Sequence, residues 1–117
     1  MTIKRIGVGP RMSAAVVFGG VARLAGFVAE KTAGKSVKEQ TAEILAQIDA
    51  CLAECGSDKT KILKANIWLT DMKTFAQMNE AWDAWVPKGN TPARATVESR
   101  ALAAVGLDVE IMVEAAV

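Results

Sequence analysis

One capped apolar stripe in the first half of the chain limits the possible folds more than any other feature. Ser36-x-x-Glu39 has the spacing of a capping box, with the hydroxyl placed to accept from the Glu39 amide and the carboxylate to return to Ser36. Thr41, Ile44, Leu45, Ile48, Cys51, Leu52 and Cys55 then recur at three- and four-residue intervals, and Gly56 follows as a left-handed stop. The pattern predicts one amphipathic helix of roughly five turns at 3.6 residues each. Such a helix must lay its single apolar face on another layer.

The flanking segments supply that layer. Ala14–Phe18, the pair Gly19-Gly20, and Val21–Val28 read as a hairpin, because Gly-Gly tolerates the positive φ that tight hairpin turns demand. Ile3–Val8 is expected as a strand feeding it. Ile62–Thr70 alternates, with Leu63, Ala65, Ile67 and Leu69 on one face and Lys64, Asn66, Trp68 and Thr70 on the other. Asp71 or Thr74 can cap a second helix carrying Phe75, Met78, Ala81, Trp82 and Trp85 on one stripe, which Pro87 ends. Lys88–Pro92 is a loop by composition, and Ala93–Ala101 and Leu107–Ala116 are expected as the last two strands, side by side. The resulting expectation is an α+β fold, a single mixed sheet backed by two helices, in one domain over residues 1–117.

Composition narrows the partners. The chain is 51% hydrophobic, yet no run is long enough for a bilayer, and the N-terminal residues lack the apolar core of a signal peptide. No membrane contact and a cytoplasmic location are expected. Fourteen basic against thirteen acidic residues leave a net charge of +1, which gives no support to nucleic-acid binding. With no His in the chain there is no Ser-His or Cys-His nucleophile system and no partner to complete a zinc set, so neither a metal nor another cofactor is expected. Cys51 and Cys55 read as two core or half-buried thiols, with a redox pair as the alternative.

The strand faces are unequal. Leu63, Ala65, Ile67 and Leu69, then Ala95 and Val97, then Val109, Ile111 and Val113 are expected to face the helices. Opposite them fall Lys64, Asn66, Trp68 and Thr70, then Arg94, Thr96, Glu98 and Arg100, then Glu110, Met112 and Glu114. A face with Trp68 and Met112 among charges suits contact with another protein, and a wet face with cross-strand ion pairs is the alternative.

The segment Asn90-Thr91-Pro92-Ala93-Arg94-Ala95-Thr96-Val97-Glu98 resembles the P-[AV]-R-x-x-V-[EQ] signature of the RidA/YjgF family, the reactive intermediate deaminases. Leu24-Ala25-Gly26, Gln40-Thr41 to Gly56-Ser57, and Met78-Asn79-Glu80-Ala81-Trp82 extend the likeness over nearly the whole chain. Ala46–Ala50 and Asn79–Val86 look closest to a YoaB-like branch. The resemblance implies a chorismate-mutase-like fold and a homotrimer with clefts between subunits. It also implies a reaction, in which water attacks the C=N of a 2-imino or enamino acid and leaves a 2-oxo acid and ammonia. Arg94 matches the arginine that grips the substrate carboxylate; two parallel guanidinium donors orient as well as attract. Without the motif, Arg94 would read as pairing with Glu98 or Glu110.

At four positions this chain departs from the family pattern. Met12 stands for a tyrosine, Ala25 for a serine, Thr96 for a frequent cysteine, and Met112 for the glutamate that positions the attacking water. A thioether cannot activate water, and Glu110 and Glu114 flank that position on the same face. The expected site is therefore Arg94 and Glu110 as catalytic groups, with Gly26, Ala93, Thr96, Met112 and Met12 beside the substrate. A non-catalytic binder or sensor of a small carboxylate such as a 2-oxo acid is the alternative. Endoribonuclease action, an occasional description of the family, comes third, since RNA cleavage needs phosphate-neutralising groups and an acid/base pair.

Overall fold

The computed structural model describes residues 2–117; Met1, part of the expected single domain, lies outside the described residues. Strands β1 (Lys4–Ile6), β2 (Ala15–Phe18), β3 (Val21–Leu24) and β4 (Phe27–Val28) precede helix α1 (Val37–Glu54). β5 (Ile62–Leu69), helix α2 (Phe75–Trp85), β6 (Ala93–Glu98) and β7 (Val109–Ala116) follow. The strands form one mixed sheet in the order β1-β2-β3-β7-β5-β6, with β4 also on β7. Among the described residues only β5 and β6 run parallel. A parallel pair needs a crossover, and α2 is that crossover.

Local chemistry explains the elements. Gly19 and Gly20 both take positive φ, 62° and 79°, closing the β2–β3 hairpin. Ser36 caps α1, its Oγ accepting from the Glu39 amide at 3.1 Å, and Gly56 follows the helix at φ 79°. Asp71 caps a short 3-10 turn by accepting from the Lys73 amide at 2.9 Å, while Thr74 precedes α2 without a side-chain cap. Both helices lie on one face of the sheet. Ile44, Leu45, Ile48 and Leu52 of α1 and Met78 and Trp82 of α2 meet Ala65, Ile67, Leu69, Val109, Ile111 and Val113 in one buried cluster. Among the described residues no helix is long and apolar enough to cross a membrane.

Several expectations need correction. The stretch Val21–Val28 is two strands, because the pairing with β7 shifts by one residue between Arg23, opposite Glu114, and Phe27, opposite Ile111, a bulge that takes in Ala25-Gly26. The last two strands are not neighbours, since β5 lies between β6 and β7. They are also shorter than their apolar patterns, the segment from Ser99 to Asp108 being loop. Leu63 is 50% exposed rather than in the core, because the β5–β7 register shifts between Ile62 and Lys64 and Ile62 takes the buried place.

The faces of β6 are reversed. Arg94 and Thr96 pair with Ala65 and Ile67, residues of the helix-backed face, whereas Ala95 and Val97 pair with Asn66 and Trp68 on the open one. Val97 is accordingly 50% exposed. β6 is an edge strand, and apolar content is a weak guide to face where one neighbour is missing.

Candidate functional site

Arg94 sits on the helix-backed side of the sheet rim, where α2 reaches over the edge. Phe75, Met78, Asn79 and Trp82 lie three, four and seven residues apart and so share one stripe of α2. The guanidinium carbon stands 5.3 Å from the Trp82 ring centre and 5.7 Å from that of Phe75. Nη1 donates to Asn79 Oδ1 at 2.8 Å and lies 3.9 Å from Met78 Sδ. The π faces attract the cation and the amide fixes its plane.

No carboxylate of the described residues forms an ion pair with it. Among the described residues the ion pairs are Arg23 with Glu114 and Lys38 with Glu80. Glu98 instead accepts from the Met72 amide at 2.8 Å, and Glu110 lies on the other face of the sheet. Pairing of Arg94 with either glutamate is therefore not found. Beside it, Thr96 has a buried hydroxyl oxygen with no hydrogen-bond partner. Ala93 opens the strand opposite Lys64, exposed and on the open face.

The other expected residues gather elsewhere. Gly7, Met12, Ala14, Ala25, Gly26 and Phe27 line a cleft of about 320 Å³ at the β1–β4 side of the sheet. Glu110 lies against this segment, its carboxylate packed on Gly26, in the middle strand β7. Met112 is half-buried on the same open face, opposite Asn66, with Glu110 opposite Trp68 and Glu114 opposite Lys64. The parity expected for these three is what the strand shows. What a single chain does not bring together is Arg94 and Thr96 at the β6 edge with Gly26 and Met12 at the β1–β4 cleft and Glu110 and Met112 on β7.

A second polar cluster has no counterpart in the sequence reading. Glu43 of α1 accepts from the amides of Glu30, Lys31 and Thr32 and from the Thr32 hydroxyl, the last at 2.6 Å. The Thr32 hydroxyl first, and then the amides, hold its carboxyl down at about 2, against an ordinary 4.5. This ties the segment after β4 to α1. Cys51 and Cys55 are buried and free, and burial pushes the Cys51 thiol up to about 11, which makes it a poor nucleophile. Among the described residues no group of three or more His, Cys, Asp or Glu is placed to hold a metal.

Known proteins share both the sequence and the fold. The profile of the family described as Endoribonuclease L-PSP matches residues 2–117. A RutC family protein of Haemophilus influenzae is 47% identical over 100 residues, 86% of each chain. The RutC family protein YoaB of Escherichia coli K12 is 46% identical over 99 residues, 85% of each. The crystal structure of a YjgF-family protein from Neisseria meningitidis superposes with a TM-score of 0.95 at 50% identity, covering 99% of this chain and 95% of that one.

The chain belongs to the RidA/YjgF family. Its likeness is to the YoaB-like branch, and the α+β subunit of the YjgF structures is the one described above. For a RidA/YjgF chain the aromatic and amide support of Arg94 is the feature that the sequence reading passed over. Its signal is present in the sequence, where Phe75, Met78 and Trp82 share one stripe of the second helix.

Proposed function

We propose that the protein hydrolyses a small, carboxylate-bearing 2-imino or enamino acid, with Arg94 as the carboxylate anchor. Water adds to the carbon of the C=N bond, the nitrogen leaves as ammonia, and a 2-oxo acid remains. The observation that carries this reading is the guanidinium itself, held by Asn79 and two rings and left without a carboxylate, so its charge and remaining donors are free for a ligand. Glu110, packed on Gly26 at the family's backbone segment, is the carboxylate assigned to hold the water. Thr96, Met12 and Met112 would border the substrate, with the backbone at Gly26 and Ala93 adding polar contacts.

These groups meet only if a second copy lays its Arg94 edge on the β1–β4 side of the first. That contact joins two different surfaces, and repeated contacts of this kind close as a ring. A homotrimer working in the cytoplasm is the proposed form, with Val97, Trp68 and Met112 of the open face covered by neighbouring copies. Light scattering should give three times the 12.4 kDa chain mass. A monomer at micromolar concentration would remove the shared cleft.

Met112 at the family's glutamate position favours a second reading, in which the same cleft binds a 2-oxo acid without turning it over. Ammonia release from freshly generated 2-iminopropanoate, measured against spontaneous hydrolysis, separates the two. Acceleration supports the deaminase, and binding without acceleration supports the sensor. RNA cleavage, which the family's name suggests, has little support in a chain with a net charge of +1 and no His.

A further inference from the structure

Resting on the reading of Arg94 as an anion anchor, we propose that Asn79 is the positioning residue that orients this guanidinium while leaving it unneutralised. The amide can do both things because it is an acceptor without charge. Its Oδ1 takes one Nη1 proton at 2.8 Å, and the rings of Phe75 and Trp82 restrict the remaining rotation. The orientation of the Asn79 amide is also determined by chemistry, since turning it would set two donors against each other.

The surrounding charges make the neutrality of Asn79 matter. Glu80, its neighbour in sequence, is engaged by Lys38 at 2.9 Å, and Glu98, on the same face of β6 as Arg94, is engaged by the Met72 amide. Both of these carboxylates are thus occupied elsewhere, and the oxygen that the guanidinium meets is that of an amide. A carboxylate at position 79 would reproduce the hydrogen bond and cancel the charge that a ligand needs. The side chain is half-buried, so solvent screens such a pair only in part.

The test compares Asn79→Ala and Asn79→Asp in the full chain, with Arg94→Ala as control and 2-oxobutanoate as probe in calorimetry. Asn79→Ala should weaken binding roughly 10-fold, the usual worth of one hydrogen bond to a charged group. Asn79→Asp should weaken it by more than roughly 100-fold at pH 7 while melting at or above the temperature of Asn79→Ala. A residue that merely supports the helix would give two similar losses, so binding by Asn79→Asp within about 2-fold of Asn79→Ala overturns the proposal. Carbon NMR of the new carboxyl group gives a readout that needs no ligand. Its titration should be depressed by at least about one unit from the ordinary 3.9, and raised again when Arg94→Ala is added. An ordinary titration would overturn the proposal even if binding were lost. If instead Arg94→Ala binds the probe as well as the parent does, the anchor reading fails, and the carboxyl titration alone decides whether position 79 faces the guanidinium.

Discussion

Glu110 packs its carboxylate on Gly26 so closely that a methyl group on Gly26 would overlap Oε2 outright and lie 2.9 Å from Cδ. A side chain at position 26 would have to displace the flexible end of Glu110, while the backbone of Gly26 has no positive φ that demands glycine. Gly26→Ala should turn the flexible Glu110 carboxylate away while changing stability by no more than about 0.5 kcal/mol. Ammonia release from 2-iminopropanoate should drop toward that of Glu110→Gln. Unchanged turnover in both variants would show that this carboxylate does not hold the water.

Arg94→Ala should remove a hydrogen-bonded charge from a partly dry site, with a loss of roughly 30-fold to several thousand-fold in affinity for 2-oxobutanoate by calorimetry. Arg94→Lys should recover only part, because a point charge replaces a planar fork and loses its stacking on Trp82 and Phe75. Full affinity in the alanine variant would show that the anchor is misassigned. Loss of folding would give Arg94 a structural task instead.

Met112→Glu places a carboxylate on the open face opposite Asn66 and between Glu110 and Glu114 in the alternation. Turnover of 2-iminopropanoate should rise. Glu110, displaced by about 6.5 Å along the strand, holds the water from one side, and a carboxylate at position 112 would face it more directly. An assembled variant with unchanged turnover would mean that water is held elsewhere.

Glu43 predicts how the protein responds to acid. Its carboxyl titrates at about 2 in the folded chain against 4.5 as the ordinary value, so folding favours the ionised form. The stabilisation is complete above about pH 4.5 and is lost as pH falls toward 2. Glu43→Gln should therefore lower the urea midpoint at pH 7, and the gap between parent and variant should close between those two pH values. A gap independent of pH would assign the effect to packing.

The residues that organise the core were legible in the sequence because their periods are unambiguous. Ser36, Glu39 and the stripe from Thr41 to Cys55 define α1, and the alternation at Ala65, Ile67 and Leu69 defines the inner face of β5. Arg94 shows where such reasoning stops. Its parity against Ala95 and Val97 was readable, but the face was not, because Val97 on an edge strand can point outward as readily as inward. The support of Arg94 by Asn79 needs α2 to cross from β5 to β6 and return over the rim, a matter of packing between segments. Glu43 was hidden for a similar reason, its partners being backbone amides with no residue type to mark them.

The placement of β7 has a consequence for how the chain reaches its folded state. The last strand in chain order lies inside the sheet, pairing Val21 with Ala116 on one side and Leu69 with Val109 on the other. Until it arrives, the β1–β2–β3 meander and the β5-α2-β6 unit have no strand between them, and each presents an unpaired edge. During synthesis the two halves must wait as separate, sticky pieces, so the chain should depend more than its small size suggests on chaperones that shield strand edges.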